Sequence, residues 1–413
     1  MSTLMNISIN NLPESVLVEI LCRLPCANFI FQCKCVCKRW FTLISSRYFV
    51  NRFLRLQIDN KMPVVCTLIN HNGEEFLNRI QPSSEVIPHM LKRLQSLHGL
   101  SKEPVVVATY NDLILCSNGL FDQTEYYICN PYTTQWVALP RPRWGRDTIG
   151  TMPVGLICDS PYYKEGDQND IVELNDNYRY KVVRILHPND EFNFDPDGYF
   201  YNFKVEIFSS ETGKWRELVV SSPQGIIYGT LDYMAFVYNG VCYWSGHRDG
   251  CFLVLGLDPF ADQECSFTVF DYPEDENFVV ECPSVSGGVV RMSDFHRDTR
   301  TLYVWDLKEK DDDSVAEGGS KLCLSKQEVY SLDQEMCPDD AQVVQRLNFD
   351  PNDKDIFYLE VDGDIIMCNI RTRKWSKIVE NTTLDRPLWF YLFVLPWWPT
   401  PIPSLPQPAS ARE

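Results

Sequence analysis

The chain has 413 residues, 45% hydrophobic and 13% aromatic, which is the apolar content of packed domains and long enough for one small and one large unit. The net charge of −18 is uneven: residues 1–58 hold seven Lys/Arg against two Asp/Glu, and the rest is strongly acidic. An acidic bulk repels phosphates and so excludes nucleic acid as a partner, while a short basic, apolar segment suits an acidic protein partner, through association rate more than affinity.

In chain order, residues 1–8 are expected to be disordered. The opening MSTLMNISINNLPE lacks the basic and apolar regions of a signal peptide. The sixteen cysteines are therefore expected to be reduced and buried, in the cytoplasm or nucleus. Apolar residues Val16, Leu17, Ile20, Leu21 and Leu24 form the stripe of an amphipathic helix. Pro13 fits its first turn, where a missing N–H is harmless, and Pro25 ends it. A second stripe runs through Phe29, Ile30, Cys33, Val36 and Cys37, and a third through Trp40, Phe41, Leu43 and Ile44. A last turn or two carries Phe49, Val50, Phe53 and Leu54. A unit of roughly fifty residues is small to bury all of this against itself. It is either a cap on the following domain or a docking surface for another protein.

The residues Leu12-Pro13, Glu14, Leu17, Ile20-Leu21, Arg23-Leu24-Pro25, Val36-Cys37-Lys38, Trp40 and Leu43-Ile44-Ser45-Ser46 resemble an F-box. One departure is an interval after Pro25 about one residue longer than in the usual pattern, which leaves open which of Phe29, Ile30 and Phe31 faces outward. The resemblance implies docking to a Skp-type adaptor and, through it, to a cullin. Leu12, Pro13, Leu17, Ile20, Leu21, Leu24, Pro25, Val36 and Trp40 are the expected contacts, with Lys38 adding charge at the rim.

After about Gln57 the pattern changes to short strands. VVVATY, LILCS, YYICN and WVALP are separated by turn residues and end near Trp136. The frame recurs at VGLICDS, YKVVRIL and NFKVEIF, leading to Trp215. It returns at MAFVY, the Asn239-Gly240 hairpin signal, VCYW, CFLVLGL and FTVF. A fourth unit is blurred, with an acidic insertion from Glu309 to Ser320, and a fifth runs from VVQRLNF to Trp375. Four-strand units repeated in this way predict a β-propeller. The length between 58 and 395 gives about six blades, with six to eight compatible. Strands around Met62–Asn70 and Pro387–Leu395 are expected to pair and close the ring, removing two exposed edges. Residues 83–99 have weak helical character around Met90, Leu91, Leu94 and Leu97. From Pro396 the Pro-rich chain reads as a solvated, disordered tail. The expected division is 1–8 disordered, 9–57 helical, 58–395 propeller and 396–413 tail.

The helical segment followed by strands containing ICNPYTTQWVALP and YKVVRIL is similar to plant F-box proteins with an F-box-associated or Kelch-like domain. That resemblance implies a non-catalytic substrate receptor of a Skp–cullin–F-box ubiquitin ligase. The alternatives are a scaffold acting outside ubiquitination, or a propeller that binds a small molecule or glycan.

No chemistry competes strongly with this reading. Cys22, Cys26, Cys33, Cys35 and Cys37 lack zinc-ligand spacing and a nearby His. The run from Asp350 to Asp355 lacks the Gly and Glu of a calcium loop. No nucleophile elbow or metal-binding His pair occurs, so neither a metal nor a cofactor is expected. The longest apolar run, Leu388–Leu395, has eight residues, against roughly 20 for a membrane span. The links between second and third strands of successive blades emerge on one face and carry Phe121, Phe192, Phe194, Tyr199, His247, Arg248, His296 and Arg297. Aromatic and Arg residues commonly anchor interfaces, so these are the candidate contacts for an unidentified protein substrate.

Overall fold

The computed structural model describes residues 9–24, 27–60, 64–74, 86–120, 123–143, 152–159, 162–165, 172–175, 177–187, 198–248, 251–261, 265–270, 278–296, 299, 301–309, 322–331, 344–361, 364–379 and 390–406. Residues 1–8 lie outside them. Four helices begin the chain: α1 (Glu14–Leu21), α2 (Ala27–Lys34), α3 (Lys38–Ile44) and α4 (Arg47–Asp59). Pro13 sits at the start of α1 with φ −54°, and its carbonyl accepts from the Leu17 N–H at 3.0 Å. Ser46 caps α4 by accepting from the Phe49 N–H at 3.2 Å.

The last helix is a thirteen-residue element rather than a turn or two, and Phe49, Val50, Phe53 and Leu54 all point inward. They meet Leu17, Val18, Leu21, Ile30, Leu43 and Ile44 in one core. Arg52 donates from Nε (2.7 Å) and Nη2 (3.1 Å) to the two carboxylate oxygens of Glu19, tying α4 to α1. That hydrogen-bonded pairing holds the Glu19 carboxyl below its usual range. The cysteines divide. Cys22 is inside, its thiol pushed up to about 12 by burial, but Cys35 and Cys37 are exposed. The expectation that all thiols would be buried fails there because both follow the end of α2 in the turn before α3.

Among the described residues the acidic remainder forms five four-stranded antiparallel sheets and a two-stranded closing sheet, a six-bladed ring, with a further two-stranded hairpin inserted in blade two. Blade one comprises Val105–Tyr110, Leu113–Ser117, Tyr126–Asn130 and Gln135–Ala138. Blade two comprises Val154–Cys158, Tyr180–Ile185, Phe200–Ser209 and Lys214–Ile226. Blade three begins at Phe236–Tyr238, blade four at Phe278–Ser286 and blade five at Val344–Phe349. The blurred fourth unit is therefore a complete blade, and its acidic insertion joins its third and fourth strands. At the Asn239-Gly240 turn both residues have positive φ, 46° and 81°, the backbone of the tight hairpin that this pair signals.

The sixth blade is made by the two ends of the propeller. Val65–Asn70 pairs antiparallel with Phe390–Leu395, from Val65 opposite Leu395 to Asn70 opposite Phe390. The Val394 N–H donates to the Asn111 carbonyl and the Thr109 hydroxyl to the Leu392 carbonyl, joining this pair to blade one. On the other side Asn352 clasps both backbone groups of Cys66, at 2.7 Å each. Among the described residues the closing sheet has two strands rather than four. Helix α5 (Val86–His98) packs against this pair, setting Ile87, Met90, Leu91 and Leu94 against Ile69, Phe393 and the face of blade one. The weak helical stretch is thus a structural part of the ring. No described helix is long and apolar enough to cross a membrane.

The chain from Pro396 departs from the expected solvated tail. Residues 396–406 are extended and packed: Trp398 is 5% exposed, and Ile402 and Leu405 lie against the core between blades one and two. Two adjacent tryptophans within the Pro-rich run supply the apolar area that a solvated tail would lack.

Phe393 is fully buried between the closing sheet, α5 and blade one. Phe393→Ala should cost about 3–5 kcal/mol through lost burial and a residual cavity, read as a lower urea midpoint. Leu97→Ala, on the exposed side of α5, should change stability by no more than about 0.5 kcal/mol.

Candidate functional site

Successive antiparallel strands reverse direction, so the turns of each blade alternate between the two faces of the ring. First-to-second and third-to-fourth connections share one face. Second-to-third connections and the links between blades share the other. Among the described residues, the helical unit meets the ring on the first face, through the hairpin of blade two. Blade two carries there an inserted hairpin, Tyr163–Glu165 with Val172–Leu174, between its first and second strands. Val172 and Leu174 belong to the helical core, and Arg47 Nη2 donates to the Leu174 carbonyl at 3.1 Å.

The segment after the closing strand runs along the same face. Trp397 stacks on Tyr163 with ring centroids 6.3 Å apart. Trp398 enters the helical unit between Phe31, Phe49 and Phe53, at 5.3, 6.2 and 5.8 Å. Lys34 lies over its ring at 5.4 Å, and burial lowers the lysine from its ordinary value. Beyond it, the Thr400 N–H donates to Asp112 Oδ2 at 2.7 Å, and Asn130 Nδ2 bridges Asp112 Oδ2 (2.6 Å) and the Thr400 carbonyl (2.7 Å). Asp112 and Asn130 belong to turns of blade one on this face. Burial raises the Asp112 carboxyl, and the donors from Thr400 and Asn130 offset part of that shift.

The helical unit therefore has a covered side and an open side. The open side shows Val36 at 60%, Phe41 at 57%, Phe29 at 46% and both Val16 and Ile20 at 42% exposure. These come from α1, α2 and α3 and the turn between the last two, with α3 packed against both other helices. Of the residues expected to dock a partner, Pro13, Ile20, Val36 and Lys38 are exposed, and Leu12 and Leu24 are half-buried. Arg39 Nη2 donates to the Leu12 carbonyl at 2.7 Å, fixing the entry to α1. Pro25 lies outside the described residues. Leu17, Leu21 and Trp40 are buried and pack the helices together. Their assignment as docking contacts is corrected, because the stripe read from sequence splits at i and i+1: Leu17 and Leu21 turn inward while Val16 and Ile20 turn outward. The longer interval after Pro25 has a definite outcome too. Ile30 enters the core, Phe31 meets Trp398, and Phe29 is outward.

The four strand links carrying the expected substrate contacts do join second and third strands, and lie on the face away from the helical unit. In the first, Asn118 Oδ1 accepts from the N–H groups of Thr124 (3.1 Å) and Glu125 (3.2 Å), which organises the loop. Phe121, Phe192, Phe194 and Arg297 lie outside the described residues. His247, Arg248 and His296 end strands, in register with Phe252, Cys251 and Thr301. Tyr199 is buried, with its Cβ directly over Gly225 of the outer strand of its own blade. It packs the blade and does not face a ligand, which removes it from the candidate contacts. His187 instead is exposed and meets Tyr228 edge-on at 4.7 Å, across two links of this face.

Sequence reasoning missed the ion pair that holds blade two to this loop system. Arg184 and Glu206 are fully buried, with Nη1 to Oε2 at 2.7 Å. The guanidinium lies over the Tyr126 and Trp215 rings. A charged residue within YKVVRIL is the only signal in the sequence. The Trp397-Trp398 pair is likewise visible in the sequence, but its Pro-rich surroundings carry no sign of its packing.

Comparison with known proteins adds to this geometry. Residues 9–52 match the F-box domain, and residues 68–390 match the family described as F-box protein At3g26010-like, beta-propeller. F-box protein At5g49610 of Arabidopsis thaliana is 28% identical over 257 residues, covering 60% of this chain and 61% of that protein. The match thus spans less than two thirds of that relative. A putative F-box/kelch-repeat protein of the same plant, At1g15680, is 26% identical over 314 residues, covering 73% of this chain and 70% of its own. Among solved structures, a post-proline cleaving enzyme from Rickettsia typhi aligns at 11% identity and a TM-score of 0.36, over 89% of this chain and 57% of that one. A likeness at that level carries no argument about activity.

The division into inward and outward residues is testable. Leu17→Ala should destabilise the helical unit by about 2–5 kcal/mol, seen as faster amide exchange throughout α1 to α4. Ile20→Asp should leave those exchange rates close to wild type.

Proposed function

Since the chain belongs to the F-box proteins with an At3g26010-like β-propeller, we propose that it is the substrate-recognition subunit of a Skp–cullin–F-box ubiquitin ligase. The observation that carries this reading is the open side of the F-box. Large apolar side chains of α1, α2 and α3 and the turn between the last two, among them Val16, Ile20, Phe29, Val36 and Phe41, stay exposed although the helices are packed around a common core. Fully burying an aliphatic or aromatic side chain stabilises by roughly 1.5–3 kcal/mol, so such a group marks a surface meant to be covered. The basic F-box fits an acidic adaptor, with exposed Lys38 at the rim.

The chain makes or breaks no bond in this reading. It contributes proximity: the F-box holds the adaptor on one face of the ring, and the opposite face presents the links between blades and between second and third strands to a target. A target bound there is held close to the ubiquitin-charged enzyme that the cullin recruits, which raises their effective concentration.

Val36→Asp with Phe41→Asp should weaken adaptor pull-down at least a hundredfold while F-box amide exchange stays near wild type; undiminished adaptor recovery overturns the docking reading. On the other face, combined alanine replacement of Phe192, Phe194, His247 and Arg248 should abolish target recovery and leave adaptor binding intact. Equal target recovery from that variant would exclude this face.

A further inference from the structure

We infer that the segment 396–406 is a strap that makes adaptor docking conditional on a closed propeller. The F-box core contains a residue that the F-box segment does not supply. Trp398 is as buried as the core residues of α1 to α4, and it contacts Phe31 on α2 and Phe49 and Phe53 on α4. A Trp side chain fills the space between two helices that an eight-residue and a thirteen-residue element leave open. Without it that space is a cavity lined by three phenyl rings, and α2 loses an inner neighbour.

Helix α2 is where this matters most. Of its apolar residues Ile30 and Cys33 pack on the core, Phe31 faces Trp398 and Phe29 is outward. The helix has eight residues, too few to be stable alone in water, so its position depends on its packing against α3 and on these inward contacts, of which Phe31–Trp398 is the one made with the strap. Phe29 is exposed on this helix and Val36 just beyond its end. Losing Trp398 therefore disturbs the docking surface without touching any residue in it.

The strap reaches the F-box only if the ring is shut. Trp398 stands three residues beyond Leu395, which pairs with Val65 at the start of the propeller. The pairing brings the end of the last strand beside the chain that leaves α4. The Asp112–Thr400–Asn130 hydrogen bonds, the Ile402 N–H to Gln135 Oε1 (3.2 Å) and the approach of Pro406 to Gly213 then lay the rest of the strap across blades one and two. An open ring leaves Trp398 unplaced. A chain whose propeller has failed to close has an F-box with an incomplete core, and its adaptor affinity falls by the fraction of molecules in which α2 is displaced. The arrangement keeps receptors that cannot hold a target from occupying the adaptor.

This inference rests on the adaptor-docking reading for its consequence, but not for its structural half. The test uses the full chain as wild type, Trp398→Ala, Trp398→Phe and Phe393→Ala, the last altering ring closure at a residue outside the F-box core. Amide exchange of α2 and α4 is measured by mass spectrometry, and affinity for a purified Skp-type adaptor is measured in parallel. Trp398→Ala is expected to speed exchange in α2 and α4 at least tenfold and to weaken adaptor binding at least tenfold, with blade exchange unchanged. Trp398→Phe should recover most of both, and Phe393→Ala should reproduce the faster F-box exchange. Unchanged F-box exchange in Trp398→Ala, or F-box exchange in Phe393→Ala that does not respond, overturns the strap. Faster exchange with unaltered adaptor affinity overturns the conditional docking. Failure of the wild-type chain to bind the adaptor at all defeats the docking reading instead, and the exchange measurements still decide the strap.

Discussion

The antiparallel pairing of Val65–Asn70 with Phe390–Leu395 is the constraint from which the rest of the architecture follows. It joins segments more than three hundred residues apart, and every blade between them must be in place for it to form. Its direction matters as much as its existence. With Val65 opposite Leu395, the end of α4 and the start of the strap emerge side by side on one face. A two-residue slip would keep the same side chains inward but move Trp398 about 7 Å along the strand direction, out of reach of the aromatic pocket in the F-box.

The same constraint explains how a domain too small to bury its own apolar stripes can still be well packed. Treating the helical segment as either a cap on the propeller or a docking surface sets up a false choice. One side is a cap, buried against Trp398, Val172 and Leu174. The other remains open, with Val16, Ile20, Phe29, Val36 and Phe41. Two neighbouring residues of one stripe, Val16 and Leu17, serve opposite sides. A stripe spanning i and i+1 covers about 100° of helix surface, wide enough for a core edge and a solvent edge.

How much of this was legible in sequence depended on whether the signal was local. Blade strands were readable because alternation and turn residues act within ten residues, and ring closure because unpaired edges are unfavourable anywhere. The F-box helices were readable from spacing, although which residues face inward was not, since Leu17, Leu21 and Trp40 look the same whether they meet their own core or a partner. The hairpin and the strap were not readable as contacts. Val172 and Leu174 form a short apolar pair in an acidic loop, and Trp397-Trp398 lies in a Pro-rich run. Each acquires meaning only when the fold brings it against helices encoded far away. Arg184 is similar: its charge gives no sign of burial until Glu206, directly opposite on the next strand, is placed 2.7 Å from it.

Electrostatics and burial divide the work between the two faces of the ring. On the F-box face the polar tie is Asp112, whose buried carboxylate accepts from Thr400 and Asn130 instead of pairing with a cation. Such an acceptor site favours a backbone segment with free N–H groups over a charged side chain, which suits an extended strap rich in proline, where Thr400 has an N–H between two prolines that have none. On the opposite face Arg184 and Glu206 neutralise each other inside blade two and leave no net charge for a ligand. Breaking that pair would cost about 3–5 kcal/mol because one buried charge would remain, so its role is to keep blade two and the loop of Gln123 in fixed relation. The ion pair thus fixes the base of the face that carries the links.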